Sequence, residues 1–198
     1  MLFFVPKNND LMNGIFTFYR KKSLPSSFIE KRYLKISASS GDPTNFIGTG
    51  RTDETSRFAT DSVYGSWMKI EMKYHVYVTH YSVYQSNNGY DNRYRNWKFD
   101  GSIDGKKWFS LDDYSVNENT SMQKEEVPYL FTVQKPATCK YVKLIMYRTA
   151  RTADESKYHL VFSGFEIFGI IDNKTCLVTM RKSYNIPHHF LFVFIYQK

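Results

Sequence analysis

Apolar residues in this chain recur at every second position in short runs, and each run stops at a polar break. Leu34, Ile36 and Ala38 alternate with polar residues before Gly41-Asp42-Pro43, and Met68, Ile70 and Met72 share one face of a later run. Val76 to Tyr84 and Tyr129 to Val133 are further apolar and aromatic runs. In Lys140 to Met146, Val142 and Leu144 oppose Tyr141 and Lys143, and a last run spans His159 to Gly169. A period of two puts alternate side chains on opposite faces, the pattern of a strand with one buried side. Seven or eight such strands, with no helical run beyond one short segment, predict an all-β sandwich or barrel. The 16 Tyr and 16 Phe suit strands, and a hydrophobic share of 42% is enough to build a core.

The stretch Trp97 to Leu111 predicts a hairpin. Trp97, Phe99, Gly101 and Ile103 fall on one face, and Asp104-Gly105 separates them from Trp108-Phe109. Asp-Gly tolerates the positive φ angles of a type I′ turn, so these two residues are assigned the turn. Gly101 marks either a bulge or a point of close packing.

The two ends differ from the middle. Leu11, Ile15 and Phe18 predict a short amphipathic helix from Asp10 to Lys22, with Arg20, Lys21 and Lys22 at its carboxyl end, where the helix dipole favours cations. Residues 1–33 are therefore assigned to a linker with a short helix, 34–169 to the β domain, and 170–198 to an irregular tail.

A net charge of +8 favours acidic partners in general, but the Lys and Arg residues are dispersed rather than gathered into a stripe. Nucleic acid is not expected as a partner. Cys139 and Cys176 form neither a disulfide framework nor a metal-ligand spacing, which suits a reducing compartment. The apolar start Met1-Leu-Phe-Phe-Val is too short for a signal peptide, and the seven apolar residues Phe190 to Tyr196 fall below the ~20 of a spanning helix. A cytoplasmic location is expected, with an extracellular one as the alternative.

Four segments in order resemble a known family. Trp67-Met-Lys-Ile-Glu-Met is similar to the "W-I-x-V-D-L" strand of the discoidin, or coagulation-factor 5/8 type C, domains. Ser102-Ile-Asp-Gly-Lys-Lys-Trp resembles their "S-x-D-G-x-x-W" hairpin, Ala137-Thr-Cys-Lys-Tyr-Val-Lys-Leu their "A-R-Y-I-R-L", and Phe165-Glu-Ile-Phe-Gly their closing "E-x-x-G". The resemblance implies an eight-stranded jelly-roll β-sandwich of the galactose-binding-like superfamily, whose ligand loops gather at one end. Secreted members often carry a disulfide between the first and last strands, and no Cys occurs near Leu34 or Gly169. Intracellular relatives often follow a BTB domain, so a BTB-type neighbour is expected by analogy.

The resemblance places ligand loops at Gly41 to Arg51, Asn87 to Arg95 and Arg148 to Lys157. From them the candidate binding residues are Asn45, Phe46, Asn87, Asn88, Tyr90, Arg93, Tyr94, Arg148 and Arg151. Amide and guanidinium groups make directed bonds to hydroxyl or acidic groups, and a tyrosine ring stacks on a pyranose. Phe46 and Ile47 match the apolar spikes of lipid-binding relatives, an alternative that implies an anionic membrane. Some glycan-binding relatives hold a structural cation, for which Asp53, Thr55 and Glu166 are the nearest equivalents; oxygen donors suit Ca²⁺. No other cofactor is implied. Asp112-Asp113 cannot share a proton if both lie on a strand, and no nucleophile elbow or phosphate loop occurs, so no enzyme is expected. The expected function is a non-catalytic module for protein–protein recognition inside a larger intracellular architecture. The alternative is a lectin-like glycan-binding module.

Overall fold

The computed structural model describes residues 1–8, 10–23, 32–48, 57–84, 96–115, 128–148 and 158–172. Its elements in chain order are β1 (Leu2–Phe4), α1 (Ile15–Ser23), β2 (Leu34–Ala38), a single 3₁₀ turn (Thr44–Phe46), β3 (Phe58–Ala59) and β4 (Ser66–Tyr84). After these come β5 (Asn96–Ser102), β6 (Phe109–Ser115), β7 (Pro128–Arg148), β8 (Val161–Phe162) and β9 (Gly164–Asp172).

Two strands do most of the construction. β4 and β7 pair antiparallel along nearly their whole lengths, with register shifts between Glu71 and Val76 and between Val78 and His80. The first half of β4 pairs with β2 on its free side, whereas the second half pairs with β9. The later half of β7 pairs with β5, and β5 with β6. The β4–β7 ribbon is thus shared by two layers, β2-β4-β7-β5-β6 and β1-β9-β4-β7. Bulges allow a strand to bend this way without losing its partners. From the sequence, each of β4 and β7 reads as two strands. Lys73 to His75 and Gln134 to Pro136 fall between the apolar runs. The backbone nevertheless continues as strand through both.

The inner faces meet in an aromatic core. Phe99 of one layer packs on Tyr81 and Phe165 of the other, at ring separations of 4.6 and 6.1 Å. Trp97 packs edge-on against Phe131 at 5.2 Å. Such pairs add about 0.5–1.5 kcal/mol each beyond the area they bury. A polar chain crosses the same core: Trp97 Nε1 donates to Tyr81 Oη at 2.8 Å, and Tyr81 donates to Asp112 Oδ2 at 2.8 Å. Buried polar groups cost free energy unless partnered, so this chain fixes the spacing of the two layers as well as filling it.

The amino-terminal segment is not a linker. Ile15, Phe16 and Tyr19 are fully buried in the main core, and β1 pairs with the end of β9 through Phe3↔Ile170 and Leu2↔Ile171. β9 accordingly runs past residue 169 to Asp172, and residues 173–198 lie outside the described residues. The helix starts at Ile15 rather than near Asp10, because Asp10 and Asn13 are held in a preceding turn by Asp10 N–H to Lys7 O and Asn13 Nδ2 to Asp10 Oδ2. Its buried residues are Ile15, Phe16, Thr17, Tyr19 and Ser23, and Leu11 lies before it.

The expected hairpin is present with a longer connection. Residues 103–108 join β5 to β6, and Asp104 Oδ1 accepts from the N–H groups of Lys106 and Lys107, both at 2.8 Å. Gly105 has φ +72°, as the Asp-Gly signal requires, but an Asx-type turn closes the loop instead of a two-residue I′ turn. Gly101 is a close packing point, since a Cβ there would lie 2.9 Å from the Phe109 ring, and the neighbouring bulge places Leu111 as the extra residue on β6.

Candidate functional site

Strand direction decides which loops meet. β2 ends at Ala38, opposite Met68 near the start of β4; β7 ends at Arg148, opposite Asn96 at the start of β5; β4 ends at Tyr84, opposite Pro128 and Gly164. The connections after β2, β4, β6 and β7 therefore leave from one end of the sandwich. The hairpin 103–108 and the bends of β4 and β7 occupy the other.

At the loop end the turn from Thr60 to Ser66 is fixed from several sides. Ser66 Oγ donates to the carbonyls of Asp61 (2.9 Å) and Val63 (2.7 Å), and Gly65 N–H donates to Met146 O at 3.1 Å. Gly65 adopts φ +77°, a conformation that costs glycine little and turns the chain into β4. Thr60 exchanges bonds with Leu160, and His159 Nδ1–H donates to Thr60 O at 2.8 Å, joining this turn to the segment before β8. Tyr158 N–H donates to Ser62 Oγ at 3.2 Å.

These anchors gather three tyrosines. Tyr64 is 68% exposed at the tip of the turn. The Tyr147 ring lies 5.3 Å from it at 48°, and the Tyr158 ring 5.5 Å away at 79°. Burial pushes the Tyr147 hydroxyl above its ordinary range, with Lys98 pulling the other way, so the phenol stays a donor at any physiological pH. An aromatic face held on a rigid turn, with hydroxyls around it, binds a ligand that has one apolar and one hydroxyl-rich side. None of these tyrosines stands among the candidates from the sequence. The outward parity of Tyr147 (opposite to Val142, Leu144 and Met146) was readable there. The convergence of 64, 147 and 158 was not, because it depends on how three separate segments fold.

Of the sequence candidates, Asn45 is exposed on the 3₁₀ turn. Phe46 is half-buried against the core and Ile47 is fully buried, so this pair is not the membrane-entering spike the resemblance suggested. Arg20 of α1 holds the turn in place, its Nη2 donating to the carbonyls of Thr44 and Ile47 at 3.1 Å each. The backbone of Arg148 pairs with Asn96 at the loop end. The Arg148 side chain, and Asn87, Asn88, Tyr90, Arg93, Tyr94 and Arg151, lie outside the described residues.

Asp53 and Thr55, two of the three candidate cation ligands, also lie outside the described residues. Glu166, the third, is fully buried and serves the first turn of α1. Its Oε1 accepts from Phe16 N–H (2.7 Å) and Ile167 N–H (2.9 Å), and its Oε2 from Thr17 N–H at 2.9 Å. A cation would face the positive ends of those three N–H groups, so the carboxylate fits a helix cap and not a metal ligand. Burial pushes its pKa up to about 7, against the three backbone bonds that pull it down. Gly14 permits this approach: a Cβ there would lie 2.4 Å from Ile167 O. Among the described residues, no three His, Cys, Asp or Glu side chains come together to hold a metal.

Asp112 and Asp113 point to opposite faces, as expected of strand neighbours. Asp112 is buried with Tyr81, and Asp113 pairs with Lys98 at 3.1 Å on the outer face. Cys139 is a buried free thiol, which burial pushes up to about 12.

No family model matches the chain, and no curated protein matches it in sequence. Solved structures do match it. A CBM32-3 module from a family 31 glycoside hydrolase of Clostridium perfringens aligns with TM-score 0.60 and 11% identity, over 83% of this chain and 99% of that one. The C-terminal domain of a chitobiase from Bacteroides fragilis aligns with TM-score 0.54 and 16% identity, over 72% and 97%. The C. perfringens module CpGH89CBM32-5, in complex with GalNAc-β-1,3-galactose, aligns with TM-score 0.51 and 11% identity, over 69% and 96%. At these identities the likeness is one of fold. The chain has the β-sandwich fold of these modules, the architecture that its alternating strands predict.

Proposed function

We propose that this chain is a non-catalytic glycan-binding module that receives a galactose-type sugar at the loop end of its sandwich. The observation that carries this reading is the tyrosine platform, with Tyr64 exposed at its tip and Tyr147 and Tyr158 packed beside it. The apolar face of a pyranose matches a fixed aromatic ring, and the polar groups of the surrounding loops match its hydroxyls. Solved modules of the same fold add support: one is in complex with GalNAc-β-1,3-galactose and another with galactose. Recognition of a protein partner, the first expectation from the sequence, stands second because its support is analogy with intracellular relatives alone.

The test is a glycan array followed by calorimetric titration with GalNAc-β-1,3-galactose, on the wild type and on Tyr64→Ala. Removing one stacked ring is expected to weaken binding about 5- to 10-fold, from about 1 kcal/mol for an aromatic contact. An array with no bound glycan, or equal affinity in the Tyr64→Ala variant, overturns the reading.

A further inference from the structure

The outer face of the β2-β4-β7-β5-β6 layer carries an arrangement that the fold does not need. Register places side chains in rows across it. One row holds Ser37, Lys69, Lys143 and Asp100, and the row nearer the loop end holds Trp67, Ile145 and Lys98, with Asp113 beyond. Lys69 and Lys143 are thus directly opposite each other on neighbouring strands. Like charges at that position destabilise a sheet.

One nearby acid relieves the pair in part: Asp100, directly opposite Lys143 on β5, attracts it. Glu71 bonds Lys140 at 3.3 Å, and Asp113 bonds Lys98 at 3.1 Å. Asp100 lies beside Lys143 and is half-buried, while Lys69 has only Ser37 and Lys143 as neighbours across the strands. Each ammonium also sits over an indole: Lys69 Nζ is 5.8 Å from the Trp67 ring centre, and Lys143 Nζ 4.3 Å from that of Trp108. Both tryptophans and both lysines are half-exposed, and no described element packs over them, α1 being packed on β9 in the other layer.

We propose that this strip, Trp67-Lys69-Lys143-Trp108, binds an acidic glycan, one bearing carboxylate or sulfate groups. Ammonium groups act as compact point charges and draw an anionic substituent between them, which removes their mutual repulsion. The flanking indoles offer faces on which the sugar rings stack. Ile145 and Tyr147 continue the outward row of Lys143 along β7 to the tyrosine platform, so one chain of sugars can run from the loop end onto the sheet. The inference rests on the glycan reading above and specifies the ligand class.

The test titrates a galacturonate tetramer, a heparin tetramer and neutral GalNAc-β-1,3-galactose into the wild type, Lys69→Ala/Lys143→Ala and Tyr64→Ala, at low and high salt. The wild type is expected to bind at least one acidic tetramer at least 10-fold more tightly than the neutral disaccharide, and to lose that margin with salt. The galacturonate and heparin arms separate carboxylate from sulfate. The double lysine variant is expected to lose the acidic preference, keep neutral binding and retain the wild-type dichroism spectrum. Neutral binding sensitive to Tyr64→Ala, without any acidic preference, overturns this inference and leaves the glycan reading standing. Binding of no glycan in any arm overturns both. Lysine-dependent binding to phosphatidylserine vesicles or duplex DNA with none to the acidic tetramers also overturns it.

Discussion

Glu166→Ala is the most informative substitution for stability. The carboxylate accepts three backbone N–H groups, from Phe16, Thr17 and Ile167, at 2.7–2.9 Å in a fully buried position. Leaving a buried donor unpaired costs about 1–3 kcal/mol, so three cost about 6 kcal/mol at the midpoint. Against this stands the preference for the neutral carboxyl that remains after those bonds have acted. A pKa raised from 4.5 to about 7 corresponds to about 3 kcal/mol, at about 1.4 kcal/mol per unit. The net loss near pH 7 is about 3 kcal/mol, a large share of the about 5–15 kcal/mol typical of a whole domain. The sign of the pH dependence follows from the same shift. The folded state holds its proton more tightly than the unfolded chain, so this contribution is complete below pH 4.5 and is lost as pH rises through 7. Urea unfolding followed by tryptophan fluorescence measures both effects. Wild-type stability minus that of Glu166→Gln is expected to fall by about 2–3 kcal/mol between pH 5 and 8. His80, whose pKa burial lowers, contributes the opposite slope in both proteins and cancels in the difference. A Glu166→Ala protein within 1 kcal/mol of wild type, or a flat difference over that range, refutes the helix-cap account.

The remaining predictions concern the core and the loop end. Tyr81→Phe removes the hydroxyl between Trp97 and Asp112, and is expected to cost about 1–3 kcal/mol in urea unfolding. Gly14→Ala forces a Cβ against Ile167 O and the Glu166 side chain, and is expected to cost about 1–3 kcal/mol, with faster amide exchange confined to α1 and β1. Tyr64→Ala removes an exposed ring and its two ring contacts, to Tyr147 and Tyr158, and is expected to cost about 1 kcal/mol, which a melting curve checks.

How much was legible in the sequence depended on how local the cause was. Period-two alternation located the buried residues of β2, β5, the first half of β4 and the later half of β7, because side-chain parity is a property of the strand alone, whereas Tyr81 to Tyr84 are buried consecutively. Asp104-Gly105 located the hairpin but not its length, since the Asx bonds to Lys106 and Lys107 compete with a two-residue turn. The docking of α1 was hidden. Its cap is Glu166, about 150 residues away, and its apolar face spans little more than one turn. Continuity of β4 and β7 was hidden as well, because the residues at the bends interrupt the apolar runs and only the pairing partners carry the strand through them. The tyrosine platform belongs to the same class: each ring is an ordinary surface residue until three segments converge.

The central claim is that ligand is taken at the loop end of a β-sandwich. Amide shift mapping during titration with galactose tests it most directly. Perturbations are predicted to centre on Tyr64, Gly65, Tyr147 and Tyr158, leaving the 103–108 hairpin at the opposite end unchanged. Saturating galactose that moves no amide, or moves those of the hairpin end instead, would contradict the account.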